Sequence, residues 1–347
     1  MPQSAIPPGR HAPVRPDWLA KRQEETIDPQ LPIVDPHHHM WDRPGNRYLF
    51  EDLLADVNSG HNIIATCFEE CREMYRADGP QELKSLGETE FVNGIAAMSA
   101  SGKYSATRCI AGIIGNVDLR IGSRAKGVLE QHVQISGGRF KGIRNGATWH
   151  AEPSLEIYCS GAPQGLYRDK SFRDGFAGLA ALGLSFDAWV FQTQLDDVTD
   201  LARTFPQARI VLNHVGGPLA IGPYAGKREE AFVAWKEAVG DIASASPNTY
   251  VKLGGLGMKL SGFTFFENEL PPSSQNLEQA WRPYIETCIA AFGPERSMFE
   301  SNFPVDKGMC SYPVMWNAFK RIAAGCSASE KTALFSGAAT KAYRLTL

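Results

Sequence analysis

The sequence lacks the features that would place the protein in a membrane, on a nucleic acid or outside the cell. No apolar run approaches the ~20 residues of a membrane span. A formal net charge of −3 gives no electrostatic reason to expect a nucleic acid or an anionic membrane as partner. Residues 1–15 are rich in proline and basic side chains and contain no apolar core segment, so they do not form a secretory signal. These absences predict a cytoplasmic protein.

Two further motifs are missing. The seven cysteines are odd in number and scattered, which is typical of reduced, buried thiols rather than of a disulfide framework. No Gly-x-Gly-x-x-Gly turn follows the first predicted strand, so nothing indicates a dinucleotide site, and we expect no organic cofactor.

From residue 31 onward, short β-branched runs alternate regularly with longer segments that are compatible with helices. Eight such units fit one distorted (β/α)₈ TIM barrel of the α/β class over residues 31–347, since such barrels usually have ~250 residues before insertions. An open doubly wound sheet is the alternative, and the eight regular repeats favour closure. Residues 1–30 are predicted to be an N-terminal arm with a short helix over 16–25. The predicted strands are 31–35, 62–68, 107–114, 139–144, 184–190, 208–213, 249–253 and 297–301.

The first predicted strand runs directly into His37, His38 and His39. Because side chains alternate along a strand, His37 and His39 point to one face and His38 to the other. Two imidazoles on one face at the end of a strand supply half of a metal or acid–base site. A histidine run on a solvated loop is the alternative, but the spacing Asp35-x-His-x-His behind an apolar strand favours a functional role.

Polar residues at the ends of the other strands are candidates as well, because the chemistry of such barrels lies at the C-terminal ends of the strands. His214 supplies a third imidazole after the sixth strand, although a lone histidine there can equally be structural. Arg144 could hold a substrate carboxylate bidentately or could pair with a neighbouring carboxylate. The further candidates are Glu70, Tyr75, Trp149, Lys252, Asn302 and Asp306.

Some aromatic residues and histidines are ambiguous. Trp41, Trp149 and Trp189 belong either to the core or to the wall of a pocket for a flat substrate, and we favour the pocket for Trp149. A long loop follows the seventh strand over residues 254–272, where it could act as a lid. The histidines that fall on predicted tail, loop or helix are interpreted as surface residues: His11, His61 and His132.

Five segments in this order carry a family resemblance: 34–42 (VDPHHHMWD), 141–144 (KGIR), 212–216 (LNHVG), 298–304 (MFESNFP) and 335–339 (FSGAA). The chain resembles the amidohydrolase superfamily, and within it the lactonase-like branch of L-fuconolactonase, sulfomuconolactone hydrolase and pyrone-dicarboxylate lactonase. The resemblance implies a distorted (β/α)₈ barrel that hydrolyses a small, often carboxylated ring. In relatives, the His-x-His pair and the strand-six histidine ligate a divalent metal or hold substrate, and a strand-eight aspartate is the general base. Some members bind zinc and others work without metal.

The chain departs from the family pattern at three positions. Asn302 stands where relatives have the catalytic aspartate, and an amide cannot take a proton and is a weaker metal ligand. The fifth strand lacks the histidine of binuclear members, and Arg144 stands at the end of the fourth strand instead of a lysine available for carboxylation. These departures argue against a two-metal centre.

The leading hypothesis is hydrolysis of a small lactone or cyclic ester that carries a carboxylate or an aromatic ring. Arg144 would anchor the anionic group, with Tyr75, Trp149 and Lys252 as further substrate contacts. His37, His39 and His214 would coordinate one Zn²⁺ or, without metal, polarise the carbonyl as hydrogen-bond donors. Asp306 or Glu70 would be the base, and Asn302 could donate to the oxyanion.

Two alternatives belong to other classes. One is metal-dependent, non-oxidative decarboxylation of an aromatic acid, against which Asn302 counts. The other is a barrel that binds a small molecule without catalysis, which the complete histidine triad argues against. In each case the expected partner is a small, anionic molecule, and a homo-oligomer is compatible with the sequence.

Overall fold

The computed structural model describes residues 9–347, and its central feature is a sheet of eight parallel strands. Each strand lies beside the next one in the chain, in the order β1, β4, β5, β6, β7, β8, β9 and β10, while β2 and β3 form a separate antiparallel hairpin. The strands are β1 (Ile33–His38), β2 (Trp41–Arg43), β3 (Asn46–Tyr48), β4 (Ile63–Glu69), β5 (Arg108–Gly115), β6 (Phe140–Arg144), β7 (Ser185–Ala188), β8 (Arg209–Leu212), β9 (Thr249–Leu253) and β10 (Ser297–Phe299).

Residues after β10 close the sheet onto β1. The backbone N–H of Asn302 donates to the carbonyl of His37 at 3.0 Å, and that of His39 donates to the carbonyl of Phe303 at 2.7 Å. The buried Asp35 carboxylate strengthens this seam, because it accepts from the N–H of Ser301 at 3.0 Å and from the hydroxyl of Tyr312 at 2.9 Å. The predicted (β/α)₈ barrel is confirmed.

The helices surround the barrel and cover its strands, which explains why the strands read as nearly continuous apolar runs. In β1, β7, β9 and β10 every residue is buried. The helices are α1 (Pro16–Leu19), α2 (Phe50–Val57), α3 (Leu86–Ala100), α4 (Ala125–Ile135), α5 (Lys170–Ala181), α6 (Leu195–Thr204), α7 (Arg228–Ala245), α8 (Ser274–Phe292), α9 (Tyr312–Ile322), α10 (Ala328–Thr332) and α11 (Ala338–Ala342).

Side chains at the helix starts fix where several of these helices begin. Asp169 caps α5 by accepting from the N–H of Phe172 at 2.8 Å. At α8, Ser273 and Asn276 form a reciprocal capping box, in which Ser273 N–H donates to the Asn276 side chain at 3.0 Å. Such caps satisfy N–H groups that have no partner within the helix.

The structure differs from the sequence-based expectation in three places. The hairpin β2–β3 was not predicted, because its strands have only three residues each. The helix predicted over 16–25 ends at Leu19. The loop over 254–272 contains two short 3₁₀ turns and contacts the N-terminal segment, whose residues 1–8 lie outside the described part.

In residues 9–347, no helix is both long and apolar enough to cross a membrane. All seven cysteines are free thiols, and each is buried or half-buried, as expected from their number and spacing.

Candidate active site

The three consecutive histidines alternate as the strand pattern predicts. His37 Nε2 lies 3.2 Å from His39 Nε2, whereas His38 points to the opposite side, where its Nε2 lies 2.8 Å from the hydroxyl of Thr66. The ring of His214, which follows β8, lies 4.6 Å from the ring of His37. The fold therefore brings together the three imidazoles that the sequence suggested, all at the C-terminal ends of strands.

The hydrogen bonds of His39 and His214 determine which ring nitrogen carries the proton. His39 Nδ1 lies 2.9 Å from the carbonyl of Glu69, and His214 Nδ1 lies 2.7 Å from Glu300 Oε1. The carbonyl of Glu69 can only accept, and Glu300 can only accept when it is ionised, so in that state each Nδ1 carries the hydrogen and each Nε2 carries a lone pair. Burial lowers the pKa of both histidines well below 6.5, so both are neutral. They are placed to ligate a metal or take a proton, and not to donate to a carbonyl.

Lys252 lies beneath the histidines and has no access to solvent. Its ammonium donates to Asp187 Oδ2 at 2.7 Å and to Glu69 Oε2 at 2.9 Å, and it lies 3.1 Å from His37 Nδ1. Although burial alone would lower it, Asp187 and Glu69 raise the pKa of Lys252 above its usual value. This corrects the substrate-binding interpretation of Lys252, because a fully buried ammonium that is paired with two carboxylates is not available to a substrate.

Glu300, which the sequence analysis overlooked, joins two of the histidines. His37, His214 and Glu300 offer ligand atoms that all lie within 4.8 Å of one another. Glu300 Oε2 lies 2.8 Å from His37 Nδ1 but has no hydrogen-bond partner among residues 9–347. Burial raises the pKa of this carboxyl to about 8, since its charge lacks solvent. A buried carboxylate oxygen beside imidazole nitrogens fits one divalent ion. Glu300 thus takes the place in the ligand group that was predicted for His39.

Arg144 is paired with Glu70 in the wall of the site. Its Nε donates to Glu70 Oε1 at 2.8 Å, its Nη2 to the Glu70 carbonyl at 2.6 Å, and its Nη1 lies 3.4 Å from His37 Nε2. Glu70 Oε2 is buried without a partner in the described chain. One carboxylate oxygen of the pair is left without a partner, and the pairing favours the alternative in which Arg144 binds a neighbouring carboxylate over the substrate-anchor role.

Asn302 and Asp306 form a second pair. Asn302 Nδ2 donates to Asp306 Oδ1 at 2.9 Å, and Asp306 Oδ2 accepts from the N–H of Gly257 at 3.0 Å. Burial raises the pKa of Asp306 well above its usual value. Both Asp306 oxygens are occupied and Asn302 Oδ1 has no partner within residues 9–347. Asp306 therefore orients Asn302, whose free atom is an acceptor and not the oxyanion donor that we expected.

A cavity of about 400 Å³ opens above these groups. Trp41 stacks on His39 with ring centroids 5.7 Å apart, and Trp189 contacts the ring of His214 edge-on at 4.8 Å. The polar wall of the cavity consists mainly of cations and imidazoles, with a single carboxylate among the described lining residues. These polar residues are Arg10, His11, His39, Arg43, Glu70, Arg72, Arg144, Ser160, His214 and Asn302.

Two of the predicted substrate contacts lie elsewhere. Tyr75 lines a neighbouring cavity of about 510 Å³, which shares Arg72 with the first. Trp149 does not line the cavity above the histidines, and its backbone N–H donates to Gln194 Oε1 at 2.9 Å. Trp41 and Trp189 form the aromatic walls instead.

The three histidines that were interpreted as surface residues are not on the surface. His11 is half-buried and lines the cavity. His61 is buried between the carbonyl of Pro313 and the ammonium of Lys320. His132 is buried against the hydroxyls of Ser85 and Thr89. His132 is buried because it lies on the inner face of α4. The positions of His11 and His61 depend on contacts with residues that are distant in sequence.

A signal for the overlooked groups exists in the strand alternation. Glu300 lies two residues before Asn302, and Asp187 occupies an inward position on β7, so a count of inward polar residues could have found them. No comparable signal identifies Arg10 or His11, because they precede the barrel.

Comparison with known proteins agrees with the fold. The family model described as Amidohydrolase matches residues 34–345. An uncharacterized protein, y4mH, of Sinorhizobium fredii is 33% identical over 340 residues, which cover 91% of this chain and 99% of that protein. An L-fucono-1,5-lactonase of Burkholderia multivorans is 27% identical over 90% of this chain and 96% of its own length. The crystal structure of an amidohydrolase from Burkholderia multivorans with bound zinc superposes with a TM-score of 0.67 at 24% identity, covering 90% and 99% of the two chains.

Proposed function

Because the chain belongs to the amidohydrolase family and is a hydrolase, we propose that it hydrolyses a small lactone that carries a carboxylate. The similarity to an L-fucono-1,5-lactonase over nearly the whole chain supports a lactone as the class of substrate. The family does not support the alternative of a barrel that binds a small molecule without catalysis. The carboxylate on the substrate is inferred from the cations that line the cavity.

One observation carries the proposal: at the mouth of the barrel, neutral imidazoles and a carboxylate with one unpartnered oxygen belong to the wall of a cavity that is otherwise mainly cationic. His39 and His214 carry lone pairs on Nε2, and Glu70 Oε2 has no hydrogen-bond partner within residues 9–347. A cavity of about 400 Å³ suits a small ring. Hydrolysis of an ester needs a group that accepts a proton from water and a charge that stabilises the oxyanion.

The residues fit one divalent ion, for which His37, His214 and Glu300 would be the protein ligands. Zinc is the proposed ion, in keeping with these ligand types and with the zinc in the amidohydrolase of the same fold. When bound, it would polarise the ester carbonyl as a Lewis acid. His39, whose Nε2 faces His37, would adjoin this group rather than belong to it.

We propose Glu70 as the general base. Its Oε2 accepts the proton of the attacking water while Arg144 holds Oε1, and Asn302 Oδ1 accepts the other hydrogen of that water. Water oxygen bonds to the carbonyl carbon, the ring C–O bond breaks, and the proton returns from Glu70 to the leaving alkoxide. The product is the open-chain hydroxy acid. Decarboxylation of an aromatic acid is the less supported alternative, because that reaction usually uses an aspartate where Asn302 stands after β10, and an amide cannot supply a carboxylate.

The test combines metal analysis of the purified protein with hydrolysis assays on five- and six-membered lactones with and without carboxylates. We expect turnover of a carboxylated lactone that falls after chelation and returns with Zn²⁺. Release of carbon dioxide from a hydroxybenzoate, with no lactone opened, would overturn the proposal.

The base is tested by Glu70→Gln, which keeps the shape but removes the proton acceptor. We expect kcat to fall by about 10²–10⁴-fold with little change in KM. Glu90→Gln is the matched control, since Glu90 pairs with Arg76 on the exposed surface. Equal kcat values for Glu70→Gln and the wild type would remove Glu70 from this role.

A further inference from the structure

The segment that precedes the barrel contributes two residues to the active-site cavity. Arg10 and His11 line it together with His39 and His214 from the barrel. The segment is attached at several points on the C-terminal face: Lys259 Nζ donates to the carbonyl of Gly9 at 3.0 Å, and Trp18 Nε1 donates to the carbonyl of Asn268 at 3.0 Å.

Close backbone packing also fixes this segment. Ala12 is buried against Gly308, where a Cβ atom on the glycine would lie 2.2 Å from the Ala12 carbonyl oxygen. Because no side chain fits between them, the segment lies directly on the turn that follows Asp306. The position of Arg10 is therefore part of the folded structure.

The arginines of the cavity divide into two groups. Arg144 pairs with Glu70 at 2.8 Å and Arg43 with Glu73 at 2.6 Å. Arg10 and Arg72 form no ion pair with any residue in 9–347, and each donates only to a carbonyl, that of Tyr158 at 3.0 Å and that of Ser160 at 3.5 Å. The two free guanidinium groups therefore reach the same short stretch of chain.

Two unpaired guanidinium groups beside one cavity repel each other. Burial first, and then the charges of Arg144 and Arg72, lower the pKa of Arg10. Desolvation, and then the charges of Arg10 and Arg43, lower the pKa of His11 to about 3, so His11 adds no charge at neutral pH. An anionic ligand would relieve this repulsion, and guanidinium groups bind carboxylates through paired, charge-assisted hydrogen bonds.

We propose that Arg10 and Arg72 bind a carboxylate of the substrate that is remote from the ester being hydrolysed, so that the N-terminal segment is part of the substrate-binding site. The inference rests on the proposed function, which it deepens by assigning the anionic group to these two residues and not to Arg144. They are specificity-determining residues and take no part in proton transfer.

A binding experiment tests the assignment independently of turnover. Citrate, a small tricarboxylate, is titrated into the full-length protein and its Arg10→Ala, Arg72→Ala and Lys21→Ala variants by calorimetry. We expect each arginine variant to bind citrate about 10-fold or more weakly, the usual effect of losing a charge-assisted hydrogen bond. Lys21→Ala removes the same charge from the same segment at an exposed position outside the cavity, and should bind like the wild type.

Kinetics then separate the two proposals. For a carboxylated lactone, Arg10→Ala should raise KM about 10-fold and leave kcat nearly unchanged. For the methyl ester of the same lactone, which lacks the negative charge, the substitution should not change KM. Citrate binding that depends on Arg10, with no lactone hydrolysed, would leave this inference standing and overturn the proposed function. Hydrolysis of a carboxylated lactone with the same KM in Arg10→Ala and the wild type would overturn this inference and leave the proposed function standing. Equal weakening by Lys21→Ala would also overturn the inference, because it would reflect net charge alone.

Discussion

Two charged regions lie on either side of the histidines, and they are built in opposite ways. The lower layer, Glu69, Asp187, Lys252 and Glu300, is fully buried, and its lysine is bound by carboxylates of two strands, Glu69 on β4 and Asp187 on β7. The upper wall, Arg10, Arg43 and Arg72, lines the cavity, and two of its three cations have no ion-pair partner in the described chain. A dry region can hold charges only when they are paired, whereas an open one can keep charges of one sign for a ligand. The lower layer orients the histidines, and the upper wall is available for recognition.

The largest effect should come from breaking the lower layer with Lys252→Met. This change leaves Glu69 and Asp187 buried without their cation, so we expect the free energy of unfolding to fall by about 3–5 kcal/mol. Urea denaturation followed by circular dichroism measures it. Arg72→Met in the upper wall is the control and should change stability by no more than about 0.5 kcal/mol. Similar losses in both variants would show that the two regions do not differ in this way.

A smaller effect, on activity and metal content, is expected from Glu300→Gln, which keeps the volume of the side chain but weakens its hydrogen bond to His214. An amide can face His214 Nδ1 with its NH₂ group, so the ring tautomer is no longer fixed. We expect activity and zinc content at limiting metal to fall about 10–100-fold, as measured by kcat/KM and by metal analysis. The exposed Glu295→Gln should leave both unchanged. Full activity with normal metal content in Glu300→Gln would contradict this role.

The upper wall can be disturbed without changing any of its residues. In Gly308→Ala, the added methyl group collides with the Ala12 backbone and displaces the N-terminal segment. We expect KM for a carboxylated lactone to rise about 10-fold, as in Arg10→Ala, because one charge-assisted hydrogen bond is lost. Gly325→Ala is the matched control, since a Cβ there has nothing within 4 Å. If KM were unaffected by Gly308→Ala, the segment would have no part in binding.

The smallest expected effect is on the pH dependence of stability, and it comes from a buried histidine outside both regions. Burial lowers the pKa of His132 to about 3, below its unfolded value near 6.5, so between these values only the unfolded chain binds the proton. The contribution of His132 to the free energy of unfolding is fully present above pH 6.5. As the pH falls below that value, the contribution decreases by about 1.4 kcal/mol per pH unit. Denaturation at pH 7 and pH 5 should show a smaller acid loss in His132→Gln than in the wild type. An equal loss would place the acid sensitivity elsewhere.

Strand positions and the histidine pair could be predicted because both depend on short-range patterns. All eight predicted barrel strands are confirmed, since buried parallel strands are apolar runs between polar segments. The facing of His37 and His39 followed from the alternation of side chains alone. The assignments of Lys252, Arg144 and Asp306 needed more, because whether a charged side chain at a strand end is free depends on partners from other strands.

The sequence by itself determined the barrel, the three imidazoles and the absence of an aspartate at position 302, because each is a matter of local spacing or residue type. The tertiary structure decided how the charges are divided. It placed Lys252 in a dry layer, joined Arg144 to Glu70 and left Arg10 and Arg72 unpaired at the cavity. These outcomes depend on contacts between residues that lie far apart in the chain, and the free energy of a charge depends on which neighbours and how much water surround it.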